Sequence, residues 1–256
     1  MISEALSAPF EGWDFGWLAG RSATEPLPWS YSETVGVYAR HARTMLDMGT
    51  GGGEVLSGLP RGAFTVATEA WPPNAPVAAQ LLGPLRIPVV QDEGAPDNTE
   101  QSAERGRLPF RNGSFDLVIN RHEAFQATEV ARVLSTSGVF VTQQVDFHSY
   151  DDFFSALGER IPDQRDSWLP LARSQIEDSG LHVARAEAGD EVHRFNDVGA
   201  VVYYLRVVAG AATAAELHTT LNVNEHHEAL RRLHDRMRTE PLWVHQKRFL
   251  MVATRG

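Results

Sequence analysis

Apolar residues along the chain follow two rhythms. Short runs of strand length, Thr44 to Asp47, Phe64 to Glu69, Ile87 to Gln91, Phe115 to Asn120 and Val139 to Val145, alternate with segments where apolar positions recur every three or four residues. The latter, Glu54 to Leu59, Asn74 to Leu82 and Glu123 to Leu134, predict helices. Strand, crossover helix, strand is the grammar of a parallel α/β sheet. Beyond the fifth strand the pattern predicts helices over Tyr150 to Leu157 and Leu169 to Ser179, with Gly180 as a stop. A sixth strand over Leu181 to Ala186, helices over Phe195 to Val208 and Asn224 to Thr239, and a last strand over His245 to Ala253 complete the reading. The polar stretch Gly94 to Gly106 reads as an insertion before the fourth strand.

The first forty residues differ in kind. Phe10, Trp13, Phe15, Trp17, Trp29 and Tyr31 gather three of the six tryptophans into an aromatic arm. Two uses are open to it: a lid over a site, or an anchor onto the sheet. On this reading residues 1–40 form the arm and 41–256 a single domain.

Composition narrows the classes. The 256 residues include no cysteine, which removes disulfides, thiolate metal sites and cysteine nucleophiles. Glu4, Glu11 and Asp14 interrupt the first twenty residues, so the sequence predicts no secretory signal and a cytoplasmic protein. The longest apolar stretch, Val198 to Ala215, carries Arg206 and reads as core, not a membrane span. A formal charge of −10 opposes long-range attraction to nucleic acid. The dense basic group Arg231, Arg232, Arg236 and Arg238 is interleaved with Glu225, Glu228, Asp235 and Glu240, as on a solvated helix face. His226, His227 and His234 lack the spacing of a metal site, so no structural metal is expected.

The most informative segment runs Met45-Leu46-Asp47-Met48-Gly49-Thr50-Gly51-Gly52-Gly53-Glu54. No lysine follows the glycines, which excludes a phosphate loop. A dinucleotide fingerprint fails in register, because positions 54 and 56 are Glu and Leu. What remains is D-x-G-x-G-x-G, and it suits a ligand that presents an amino acid and a nucleoside.

That pattern resembles the first motif of the class I S-adenosylmethionine-dependent methyltransferases, and the likeness extends in order to about residue 146. Val66-Ala67-Thr68-Glu69 ends the second strand in an acid, and Leu108-Pro109-Phe110-x-x-Gly113-Ser114-Phe115-Asp116 resembles the family's approach to its fourth strand. Glu129-Val130-Ala131-Arg132-Val133-Leu134 with Ser137-Gly138 resembles the helix and turn into its fifth. A group of actinobacterial-looking methyltransferases is closer still, through Trp13-Asp14-Phe15, Pro28-Trp29-Ser30-Tyr31, Ala67 to Asn74, Arg121-His122, Gln143-Gln144-Val145 and Asp197 to Tyr203.

The resemblance implies a Rossmann-like, seven-stranded, mostly parallel sheet with the last strand antiparallel and helices on both faces. It implies S-adenosyl-L-methionine as cofactor, with Asp47, Gly49, Thr50, Gly51, Gly53, Glu69, Ala70, Asp92 and Asn120 around it. Glu69 would hold the ribose, Ala70 and Trp71 would border the adenine, and either Asp92 or Glu104 would meet its amine.

Methyl transfer rests mostly on positioning. His122 is the candidate base or acceptor-orienting group, with Glu123 as its partner, and Trp17, Trp29, Tyr31, Arg121 and Gln144 are candidates for the acceptor site. The expected acceptor is a small molecule. RNA is the second reading and a non-catalytic cofactor-binding protein the third. The absence of Asn-Pro-Pro-Tyr after the fourth strand disfavours methylation of base amines.

Overall fold

The computed structural model describes residues 1–9, 15–96, 98, 105–159, 166–211 and 226–256. Phe10, Trp13, Asp14, Glu104, the end of the apolar stretch beyond 211 and the expected helix start at Asn224 lie outside them. The strands are β1 (Ser22–Glu25), β2 (Thr44–Met48), β3 (Phe64–Glu69), β4 (Val89–Gln91), β5 (Phe115–Arg121), β6 (Leu134–Val145), β7 (Leu181–Phe195) and β8 (Leu242–Arg255). The helices are α1 (Ile2–Ser7), α2 (Tyr31–Ala39), α3 (Glu54–Gly58), α4 (Asn74–Leu82), α5 (Ala127–Val133), α6 (Asp151–Leu157), α7 (Trp168–Asp178), α8 (Val198–Ala211) and α9 (His227–Met237).

The strands are hydrogen-bonded in the order β1-β7-β8-β6-β5-β2-β3-β4. From β4 to β6 every pairing is parallel, and β8 returns antiparallel to β6. The fold is therefore a mixed α/β sheet of the expected kind, with one correction: it has eight strands, not seven. The added strand, β1, lies in the stretch expected to be an aromatic arm and pairs antiparallel with the end of β7, Ser22 opposite Phe195. Its SATE sequence has no apolar alternation, because it is held by backbone bonds at a sheet edge and buries little.

The chain divides into two compact units. The larger comprises Pro28–Asp146, Ser167–Gly189 and Arg248–Gly256. Its central strands are buried on both faces, so they read as near-continuous apolar runs, with Met45, Leu46, Leu117, Val118, Phe140 and Val141 at the core. Phe125 packs edge-on against Phe140, and Trp168 at the start of α7 packs edge-on against Phe249 of β8. Asp146 fixes that helix start by accepting from Ser167 Oγ at 2.7 Å and the Trp168 amide at 2.9 Å.

The smaller unit comprises Met1–Leu27, Phe147–Asp166 and Asp190–Lys247. Its core gathers Ala5 of α1, Phe153 and Leu157 of α6, the apolar length of α8, and Leu230 and Leu233 of α9. Asp197 starts α8 by accepting from the Ala200 amide at 3.0 Å and is gripped by Arg21. The buried stretch from Val198 is thus core, as its pattern predicts, and no helix among the described residues is long and apolar enough to cross a membrane.

Candidate functional site

In the larger unit, the carboxyl ends of β2, β3 and β5 meet the glycine loop. Gly49, Gly51 and Gly53 all have positive φ, at 67°, 64° and 90°, a backbone region that side chains with a β-carbon rarely adopt. The loop is tied to the neighbouring strand: the Thr50 amide donates to the Thr68 carbonyl at 2.9 Å. Glu69, almost fully buried, completes the tie. Its Oε2 accepts from the Gly51 amide at 2.7 Å and its Oε1 from the Trp71 amide at 2.8 Å. A strand-end carboxylate bonded to two backbone N–H groups is a built feature of the site, not a solvated surface acid.

A small recess lies against this loop. Met48, Gly49, Thr68, Ala70, Asp92, Gly94 and Glu123 line it. Among the described residues the acids of this wall influence one another. Burial foremost, then the charges of Glu69 and Asp92, push the Glu123 carboxyl up to about 7. Asp47, beneath the loop, is likewise raised to about 7 by burial and by the Glu69 charge. Glu69 and Asp92 are raised as well, chiefly by burial.

Glu123, the partner the sequence suggests for His122, lies elsewhere. A β-carbon added to Gly49 would fall 2.3 Å from Glu123 Cγ, so the acid lies directly over the loop. The bonded partner of His122 is Gln143. His122 stands in the left-handed region, φ 62°, just past the end of β5, and its amide donates to the Gln143 carbonyl at 2.9 Å. Its ring Nε2 lies 3.1 Å from Gln143 Nε2, and Gln143 Oε1 in turn accepts from Trp29 Nε1 at 2.8 Å. The residue keeps solvent exposure, yet protein crowds its ring closely. That crowding first, then the cations Arg121 and Arg248, holds its pKa well below the ordinary histidine value.

The remaining candidates fall as follows. Asn120 is fully buried; its Nδ2 donates to the Met48 carbonyl at 3.4 Å and its Oδ1 accepts from Thr142 Oγ1 at 3.0 Å. Gln144 is also buried, its amide donating to Asn120 Oδ1, to Thr142 Oγ1 and to the Glu123 carbonyl. The period of a strand explains the pair of glutamines: Thr142 and Gln144 share one face with Asn120, and Gln143 turns to the other. Tyr31 is buried beneath the Arg121 guanidinium, which lies 6.0 Å from its ring centre. Burial foremost, then Asp47, raises the pKa of its hydroxyl. Trp29 is a buried wedge, its ring close against Gly189. Trp17 belongs to the smaller unit, where it stacks on Tyr203 at 4.8 Å and carries Arg21 over its face. Arg248 was not anticipated. It reaches this region because antiparallel β8 sets it opposite Val145, a register that no local pattern reveals.

Comparison with known proteins agrees with this geometry. Residues 46–142 match the family described as a methyltransferase domain. No curated protein matches the chain. Among solved structures, a provisionally assigned methyltransferase of Bacillus halodurans C-125 is 15% identical, with 88% of this chain and 96% of that one covered at a TM-score of 0.55. The YcgJ protein of Bacillus subtilis is 16% identical, with 88% and 97% covered at 0.55. A functionally unknown protein of Deinococcus radiodurans R1 is 12% identical, with 91% and 92% covered at 0.54. These likenesses establish the fold, and the match over residues 46–142 marks a methyltransferase domain there.

Proposed function

We propose that this chain is an S-adenosylmethionine-dependent methyltransferase acting on a small molecule, with the cofactor held by the glycine loop and Glu69. The residues fit such a ligand. The loop has no room for a β-carbon at Gly49, Gly52 or Gly53, and Thr50 and Tyr31 bring buried hydroxyls close to Asp47 beneath it. In this assignment Gly49, Thr50 and Gly51 face the amino-acid part and Glu69 accepts from the ribose hydroxyls. Ala70, Trp71 and Asp92 border the adenine, while Asp47, Gly53 and Asn120 hold the loop in shape. The bound cofactor supplies an electrophilic methyl group on a sulfonium centre.

The observation that carries the small-molecule reading is the acidic wall. Glu123 and Asp92 line the recess and Glu69 stands behind its loop, a field that attracts a cationic cofactor and repels a polyphosphate backbone. The basic group that motivates RNA lies on α9, where Arg231 pairs with Glu228 on a solvated face.

Calorimetry with S-adenosylmethionine and its demethylated product tests the cofactor assignment. Binding to the native chain should weaken at least tenfold in Glu69→Gln and in Gly51→Val, the latter forcing a β-branched residue to φ 64°. No binding to the native chain would sink the proposal. RNA binding that falls steeply with salt would move the acceptor to RNA. Cofactor binding without turnover over a broad acceptor panel would leave a binding protein.

A further inference from the structure

The Trp29, Gln143 and His122 chain fixes more than position. An indole N–H can only donate, so the Gln143 atom at 2.8 Å from Trp29 Nε1 must be its oxygen. The other end of the carboxamide, the NH₂ group, therefore faces His122 Nε2 at 3.1 Å. Two donors cannot share that line, so Nε2 carries the lone pair and the ring proton sits on Nδ1. Turning the carboxamide over would set its NH₂ against the indole N–H, so the arrangement has one satisfied state.

A second observation points to use. His122 is a non-glycine residue held at φ 62°, an unfavourable conformation that persists where the surroundings impose it. Its Nδ1–H donates to no described residue, and the residue keeps solvent exposure. The charges of Arg121 and Arg248 oppose a second ring proton.

The geometry points to His122 as a fixed, neutral hydrogen-bond donor that presents Nδ1–H to the methyl acceptor, with Gln143 and Trp29 as its positioning residues, and not as the base that deprotonates the acceptor. This rests on the methyltransferase reading above. The acceptor it fits carries an oxygen lone pair, as a carboxylate, carbonyl or phenolate does. In the transfer, the acceptor's lone pair forms the new bond to the methyl carbon as the carbon–sulfur bond breaks toward sulfur. Any proton on the methylated atom passes to solvent, since the one basic nitrogen of His122 is already occupied by Gln143.

The test uses the full chain, ¹⁵N-labelled at histidine, with S-adenosylhomocysteine at pH 7. His122 signals, identified by their loss in His122→Asn, should report the Nδ1–H form. Gln143→Glu sets an acceptor opposite Nε2 and should move the ring to the Nε2–H or doubly protonated form. Trp29→Phe frees the carboxamide to turn and should give a mixture; it serves where the buried Gln143→Glu does not fold. Benzoate should shift the Nδ1–H signal and benzylamine, a cation of similar size without oxygen, should not. An Nε2–H signal in the native protein overturns the inference, as does a native pattern retained in both variants or an Nδ1–H signal indifferent to benzoate. Calorimetry on the same sample separates the two readings: a correct tautomer without cofactor binding defeats the methyltransferase function alone, and binding with the wrong tautomer defeats only this inference.

Discussion

A β-carbon at position 49 has nowhere to go. It would meet Glu123 Cγ at 2.3 Å and Cβ at 2.5 Å, and the φ of 67° is unfavourable to any residue but glycine. Gly49→Ala should therefore displace Glu123 from the loop, lower stability by about 1–2 kcal/mol in urea unfolding, and weaken cofactor binding at least tenfold. Gly58→Ala, at the end of α3 with nothing within 4 Å, is the control and should be neutral or slightly stabilising. Equal losses in both variants would mean that the loop has no special need at 49. The glycines were legible in sequence because each answers to a local backbone demand. The environment of His122 was not, since Gln143 stands 21 residues away and Trp29 a further 114 from Gln143 along the chain. Sequence marks the histidine, but its proton is set by partners that only folding brings together.

At the scale of elements, Arg132 ties the turn before β5 to α5. It bonds Glu129 through two nitrogens, the Phe110 and Leu108 carbonyls and Asn112, while Glu129 also accepts from the Leu108 amide. Two motifs that sequence presents separately, Leu108 to Asp116 and Glu129 to Leu134, are thus one structural joint. Arg132→Met keeps much of the volume and leaves a mostly buried carboxylate and two carbonyls without their donor. It should cost about 2–4 kcal/mol in urea unfolding, with cofactor affinity changed far less than in Gly49→Ala; no loss of stability would show the joint to be ornamental. Most of the alternation of helix and strand was readable because buried parallel strands are apolar runs. The edges were less so. β1 has no apolar period, and β7 continues through polar residues to Phe195, because backbone pairing and not side-chain burial extends it. Helix α5 begins at Ala127 and not at 123, since residues 122 and 123 are committed to the turn over the glycine loop.

For the whole molecule, the acids divide into two groups that respond to pH in opposite directions. Glu129 and Asp116 are held below their ordinary values, Glu129 against desolvation by Arg132 and Asp116 by the Arg43 amide and Ser135. Their stabilisation is present above the unfolded carboxylate range and is lost as pH falls through their depressed values. Asp47 and Glu123 behave the other way. Raised from 3.8 and 4.5 to about 7, they keep their protons in the folded chain at pH values where the unfolded chain has released them. Between those limits the native state binds more protons, so stability declines as pH rises and levels off above about 7. The decline is bounded by about 1.4 kcal/mol per pH unit for each group. Because the sequence pI is about 5.4, where low net charge favours association, the measurement belongs at pH 6 and above. The cofactor-free chain should melt at a lower temperature at pH 8 than at pH 6. Glu123→Gln, nearly isosteric and uncharged, should raise the melting temperature at pH 8, change it little at pH 6, and so flatten the slope. A native chain equally stable at both values, or a slope unchanged by Glu123→Gln, would mean that the acids over the glycine loop are ionised together without strain, and that a cationic cofactor has no buried charge there to neutralise.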